Sequence, residues 1–181
     1  MFHRSERLLL RPVWPEDWQG IFSGIAEEGV VRNLASAPWP YGEQDARAFT
    51  ALPAHPRTPR FLVTRACDAS VVGCIGIDPV PDEEGSIEIG YWIARKHWGR
   101  GYASEAGRAV IAIARALGYQ RIMGSHFLDN PAAGAVLKKL GFVPTGRVAQ
   151  RYSCARSGKS AAAEYALDLT DAAADGEMQA A

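Results

Sequence analysis

The most constraining stretch of this chain runs from Ser86 to Leu117, where one hydrophobic period gives way to another across two glycines. Over Ser86-Ile87-Glu88-Ile89-Gly90-Tyr91-Trp92-Ile93, the apolar residues Ile87, Ile89, Tyr91 and Ile93 fall on one face, and Glu88, Gly90 and Trp92 on the other. That alternation is the period of a strand. From about Ala103 to Leu117 the positions Ala106, Val110, Ile113 and Leu117 recur at helical spacing, and Gly118 stands as a C-cap. Between the two lies Arg95-Lys96-His97-Trp98-Gly99-Arg100-Gly101-Tyr102. Glycines in such a turn let backbone N–H groups approach a ligand unobstructed, and the helix N-terminus adds a partial positive charge. Arg95, Lys96 and Arg100 contribute three more positive charges. The pattern suits a pyrophosphate, with a plain structural turn as the competing reading. It is neither GxGxxG, since Ala103 and Ser104 follow Gly101, nor GxxxxGK[ST].

The remaining elements can be placed around this unit. Arg7 to Arg11 reads as a short strand stopped by Pro12. Trp14-Pro15-Glu16-Asp17 starts a helix, with proline at its first position and two carboxylates facing the dipole. Trp18, Ile21, Phe22 and Ile25 follow as its buried face. Residues 33–59 carry five prolines and one short helix, Glu43 to Leu52. So broken a segment is expected to form binding walls rather than core, with Trp39 and Tyr41 as candidate substrate contacts or, equally, packing aromatics. Phe61–Val63 and Val71–Ile77 form a hairpin around Cys67-Asp68-Ala69-Ser70. A strand near Arg121–Phe127 precedes a helix capped by Asn130, started by Pro131, striped by Ala133, Val136, Leu137 and Leu140, and stopped by Gly141. Strands near Phe142–Tyr152 and Ala162–Leu169 close the domain. The order predicts an α/β fold, an α+β sandwich around one sheet of about seven strands flanked by about four helices. A single domain over 1–170 is expected, with 171–181 as a disordered tail poor in residues to bury.

Composition excludes several function classes. The 20 Lys and Arg cancel the 20 Asp and Glu, so direct nucleic-acid binding through a basic face is not expected. Cys67, Cys74 and Cys154 show no ligand-like spacing, so free thiols in a reducing compartment are expected, with Cys74, inside an apolar strand, buried and inert. His3, His55, His97 and His126 form no i, i+4 pair, so no metal site is expected. No run approaches the roughly 20 apolar residues of a membrane span. These features suggest a cytoplasmic protein without a membrane partner.

Trp98-Gly99-Arg100-Gly101-Tyr102-Ala103-Ser104-Glu105-Ala106 resembles the acetyl-CoA loop of the GNAT acyltransferases, most closely the RimJ/RimL-like branch of ribosomal-protein N-acetyltransferases. The resemblance extends to Glu6-Arg7-Leu8-Leu9-Leu10-Arg11-Pro12, to the strand Ile87–Ile93, and to Asn130–Phe142 ending in Lys139-Leu140-Gly141-Phe142. It implies a mixed, mostly antiparallel sheet splayed at the cofactor site, and acetyl-CoA as donor. Trp98, Gly99, Arg100, Gly101, Tyr102 and Ala103 would then hold the CoA pyrophosphate. The strand edge at Trp92, Ile93 and Ala94 would pair with the pantetheine arm. An N–H of Trp92 or Ile93 would polarise the thioester carbonyl. Asn130 would lie near the acetyl end, although its N-cap role already explains it.

The same resemblance places the catalytic base at Glu88, with a solvated or salt-bridged strand carboxylate as the competing reading; Asp78, at the end of the preceding strand before Pro79, is the second candidate, and burial beside apolar neighbours would tune either carboxyl for the task. The family's usual acid positions hold Leu137 and Ala133, so water is left to protonate the departing thiolate. A free α-amino group, titrating near 7.7–8.0, is roughly a tenth neutral at pH 7, against roughly one part in 2,500 for lysine. The N-terminal α-amine of a peptide or protein, or another low-pKa amine such as one on a small molecule, is therefore the favoured acceptor. A catalytically weakened acyl-CoA-binding module is the alternative, and an unrelated phosphate-binding domain a third. Basic Arg151, Arg156 and Lys159 could contact substrate or another subunit, which leaves monomer and homodimer open.

Overall fold

In the computed structural model, which describes residues 1–80, 83 and 85–170, the chain forms one eight-stranded sheet covered on both faces. The strands are β1 (His3–Arg4), β2 (Leu8–Pro12), β3 (Arg60–Arg65), β4 (Val71–Pro79), β5 (Ser86–Ile93), β6 (Arg121–Phe127), β7 (Val143–Ser153) and β8 (Gly158–Asp168). The helices are α1 (Trp18–Ile25), α2 (Glu28–Val31), α3 (Glu43–Thr50), α4 (Tyr102–Ala116) and α5 (Pro131–Lys139), with 3-10 turns at Pro15–Asp17, Arg95–His97 and Cys154–Arg156. The order across the sheet is β1-β2-β3-β4-β5-β6-β8-β7. Every neighbouring pair is antiparallel except β5–β6.

The predicted mixed, mostly antiparallel sheet is therefore present, with small differences in count. The eighth strand is the two-residue β1, which pairs His3 with Leu10 and Arg4 with Leu9. The fifth helix is the single turn α2, too short to leave a periodic signal. The expected tail, 171–181, lies outside the described residues.

Alternation along the strands sorts side chains into two cores. On one face Leu8, Leu10, Phe61, Ile75, Ile77, Ile87 and Ile89 meet Ala106, Val110 and Ile113 of α4 and Leu137 of α5. On the other, Leu62, Cys74 and Trp92 meet Ile21 and Ile25 of α1 and Val30 and Val31 of α2. The proline-rich segment corrects our expectation, because Ala37, Tyr41 and Ala46 are buried in this second core. Tyr41 is consequently a packing residue, its hydroxyl pushed up to about 12 by burial, with Asp45 adding to the effect. Trp39 stays exposed.

Candidate active site

Hydrogen bonding between β5 and β6 stops early, and that opens the site. Their parallel register runs through Ser86–Arg121, Ile87–Ile122 and Glu88–Met123 and goes no further, although β5 continues to Ile93 and β6 to Phe127. Backbone alternation shows which groups face the gap. Val80 N–H donates to Ser86 O at 3.2 Å and Ala94 N–H to Val72 O at 2.8 Å, so even-numbered residues here turn their amides to β4. Ile89, Tyr91 and Ile93 therefore turn theirs toward the split. Trp92 directs its N–H at β4 while its indole fills the second core, and Ala94 is buried with its N–H already bonded. Of the strand groups considered from the sequence, Ile93 presents its backbone to the gap, and Tyr91 joins it.

The split opens into a cleft of about 350 Å³ lined by Tyr91, Trp92, Ile93, Trp98, Gly99 and Gly101 through Ser104 on one side, and by Asn130, Ala133, Val136 and Lys139 on the other. Gly99 and Gly101 adopt φ of +73° and +78°, the left-handed region that a side chain resists. Gly101 is the N-cap of the 15-residue α4 and supplies no side-chain cap, so the first-turn N–H groups remain available at the positive end of the helix dipole. The Trp98 indole donates to Ile93 O at 2.7 Å, pinning the loop to the strand. Arg100 is exposed and does not line the cleft. Arg95 pairs with Glu27 at 3.7 Å. A cradle of uncapped amides, two left-handed glycines and nearby cations fits a diphosphate, and the strand edge beside it fits an extended amide arm.

Asn130 caps α5, accepting from Ala133 N–H at 3.4 Å, and also lines the cleft. Leu137 is 2% exposed and packs over Gly124, and α5 carries no hydroxyl side chain.

Glu88 sits where the two strands part. Its neighbours correct the expectation of an apolar setting: Ser125 of β6 donates to Oε1 at 3.0 Å and Arg151 of β7 to Oε2 at 2.9 Å. Arg151 also reaches Glu164 of β8 at 3.2 Å, and Arg147 pairs with the other Glu164 oxygen at 3.2 Å. Burial pushes the Arg151 guanidinium down, but attraction and hydrogen bonding from Glu88 and Glu164 outweigh it and keep the group charged. Asp78 is exposed and lies directly opposite Glu88 across β4–β5, so the two carboxylates share one face of the sheet. Arg156 binds Asp129 at 2.8 Å and the Arg32 carbonyl at 2.7 Å, which ties it to the fold rather than to a ligand.

Two buried groups were not placed in the site by their sequence position. The Tyr91 hydroxyl and both His97 ring nitrogens have no hydrogen-bond partner among the described residues, and both residues line the cleft. Burial pushes Tyr91 up; it pushes His97 down, helped by the neighbouring charges of Lys96 and Arg100. No group of His, Cys, Asp and Glu able to hold a metal is present among the described residues, and no described helix is long and apolar enough to cross a membrane.

Comparison with known proteins follows this geometry. The family model described as Acetyltransferase (GNAT) domain matches residues 7–143. An uncharacterized N-acetyltransferase of Bacillus subtilis, YoaA, is 31% identical over 150 residues, spanning 81% of this chain and 85% of its own length. An acetyltransferase (GNAT family) of Bacillus anthracis superposes with a TM-score of 0.80 at 24% identity, covering 93% of this chain and 98% of its own. The ribosomal-protein-S5-alanine acetyltransferase of Vibrio fischeri gives a TM-score of 0.76 at 16% identity, over 94% and 98% of the two chains. At these identities the structural likenesses speak to the fold.

Proposed function

The chain belongs to the GNAT acetyltransferase family, and from that premise we propose that it moves an acetyl group from acetyl-CoA directly to a low-pKa primary amine, above all the α-amine of a peptide or protein N-terminus. The observation that carries this reading is the early end of the β5–β6 ladder, which bares Tyr91 and Ile93 amides beside the uncapped start of α4. Gly99, Gly101, Tyr102 and Ala103 would take the diphosphate, and Ile93 and Trp98 the pantetheine arm. The Tyr91 or Ile93 N–H would receive the charge that develops on the thioester oxygen. Asn130 would border the acetyl end.

Acyl transfer needs the amine nitrogen to bond to the acetyl carbon as the carbon–sulfur bond breaks, with the amine proton leaving to a base. Glu88 is the assigned base, with Asp78 second. Glu88 is held between Ser125 and Arg151, a fixed orientation that suits proton transfer. The thiolate departs without a protein acid, because Leu137 and Ala133 occupy the usual places. Placement in the RimJ/RimL-like branch rests on the motifs at Glu6–Pro12 and Trp98–Ala106, and the ribosomal-protein acetyltransferase that shares the fold is consistent with a protein N-terminus as acceptor.

Calorimetric titration with acetyl-CoA, 3′-dephospho-acetyl-CoA and ATP tests the donor. Micromolar, acetyl-CoA-selective binding, about −8 kcal/mol, is the expected result, and equal binding of ATP refutes the reading. Turnover over a panel of peptides with free N-termini, lysine side chains and polyamines then tests the acceptor. Glu88→Gln should lower kcat near neutral pH while leaving acetyl-CoA affinity unchanged, and an unaltered rate profile from about pH 6 to 9 removes Glu88 as the base.

A further inference from the structure

The opening motif around Arg7 and the glycine loop around Arg100 are far apart in sequence and meet in space. Glu105, in the first turn of α4, is buried at 7% exposure. Its Oε1 accepts from Ser5 Oγ at 2.7 Å and from the Arg7 backbone N–H at 2.8 Å, its Oε2 accepts from Arg7 Nε at 2.8 Å, and Arg7 Nη2 lies 2.7 Å from Oε2 as an ion pair. Burial pushes the Glu105 carboxyl up, and these donors outweigh it, holding the group below its ordinary range and charged. The remaining arm of the Arg7 guanidinium, Nη1, donates to the Arg100 carbonyl at 3.0 Å, and its Cζ lies 4.8 Å from the Tyr102 ring centroid. Arg7 does not line the cleft, whereas Gly101 and Tyr102 do. Arg7 therefore grips the loop from behind.

The geometry points to Arg7 as a positioning residue for the donor loop, acting through the Arg100–Gly101 peptide. In a trans peptide the carbonyl and the following N–H point in opposite directions. Holding Arg100 O toward Arg7 therefore aims the Gly101 N–H at the cleft, where a diphosphate oxygen would be received. A Cβ at Gly101 would stand an ordinary 3.6 Å from Arg7 Nη2, so space does not demand the glycine; its left-handed φ does, and the missing Cβ leaves the peptide free to rotate once the guanidinium is gone. Glu105 orients the Arg7 guanidinium with one hydrogen bond from Nε and an ion pair with Nη2, and the planar guanidinium spans carboxylate and carbonyl together, which the single ammonium of lysine does not.

The inference rests on acetyl-CoA being the donor, so the test separates the two. CoA affinity is measured by calorimetry for wild type, Arg7→Met and Arg7→Lys, and kcat/KM is measured with acetyl-CoA and with acetyl-pantetheine, which lacks the diphosphate. Loss of one aimed, charge-assisted contact weakens CoA binding about tenfold in both variants and lowers the preference for acetyl-CoA over acetyl-pantetheine by a similar factor. Arg7→Lys retains a charge beside Glu105 and recovers most of the melting temperature that Arg7→Met loses, without recovering CoA affinity. A lysine variant that restores affinity and stability together, or variants impaired equally with both donors, overturns the positioning role in favour of a structural ion pair. CoA affinity within about twofold of wild type in both variants also overturns it. Wild-type protein that binds no CoA overturns the donor reading and this proposal together.

Discussion

Gly73 and Gly90 lie on adjacent strands, and a methyl group added to each should act in opposite directions. In Gly73→Ala the new Cβ would collide with the Trp92 carbonyl oxygen and stand 3.0 Å from the Ile93 Cα, both backbone atoms that cannot swing aside. Relief requires β4 and β5 to part by on the order of 1 Å to reach van der Waals contact. That movement loses one or two ladder bonds, Ala94 N–H to Val72 O among them, at about 1 kcal/mol each. Overpacking strain adds about 1–3 kcal/mol. The sum is about 2–5 kcal/mol, a fall in melting temperature on the order of 10 °C for a chain of this size. In Gly90→Ala nothing lies within 4 Å of the new Cβ and φ is ordinary, so the reduced freedom of the unfolded chain should stabilise by about 0.4–1 kcal/mol. Urea denaturation and calorimetric melting of the two variants beside wild type measure both effects. Because the clash falls on Trp92 and Ile93, Gly73→Ala should also weaken acetyl-CoA binding. If Gly73→Ala melted within about 2 °C of wild type, or lost less stability than Gly90→Ala, the β4–β5 pairing from which the amide directions of β5 are read would be wrong.

Other consequences are independent of that one. His97 is held below its ordinary range by burial and then by Lys96 and Arg100, so between its folded value and about 6.5 the unfolded chain binds more protons. Stability should therefore fall as pH drops below about 6.5, and His97→Phe should flatten the difference between urea curves at about pH 7.5 and about pH 5.5; an unchanged difference removes His97 as its source. Exposed Cys67 should react with a thiol reagent in the native protein, while Cys74, buried and pushed up by desolvation, should react only on unfolding, as peptide mapping of the labelled protein would show. Asn130→Asp keeps the helix cap, so its melting temperature should stay within a degree or two of wild type, whereas Asn130→Ala should cost about 1 kcal/mol. Weaker acetyl-CoA binding by Asn130→Asp would mark a ligand contact for the amide, and unchanged binding would restrict Asn130 to capping.

Much of the site could be read locally. The alternation of Ile87, Ile89, Tyr91 and Ile93, the glycines at 99 and 101 and the stripe of α4 are each set within a few residues, because strand and helix periods and backbone sterics act at that range. The boundaries of β6 and the capping of α5 by Asn130 agree with the sequence reading for the same reason. What went unread lay in register and in contacts between distant segments. Nothing local distinguishes a proline-rich loop from one that drops Ala37 and Tyr41 into a second core, since those positions lie outside any helix or strand.

The sequence by itself determined the unit of strand, glycine turn and helix, and with it the kind of ligand that unit can receive, because a left-handed turn and an uncapped helix start depend on neighbouring residues alone. Tertiary structure decided where β5 leaves β6, which carbonyl Arg7 holds, and that Glu88 faces Ser125 and Arg151 rather than an apolar pocket. Those outcomes depend on how strands far apart in the chain come into register, and a one-residue change of register would turn each of these side chains to the opposite face.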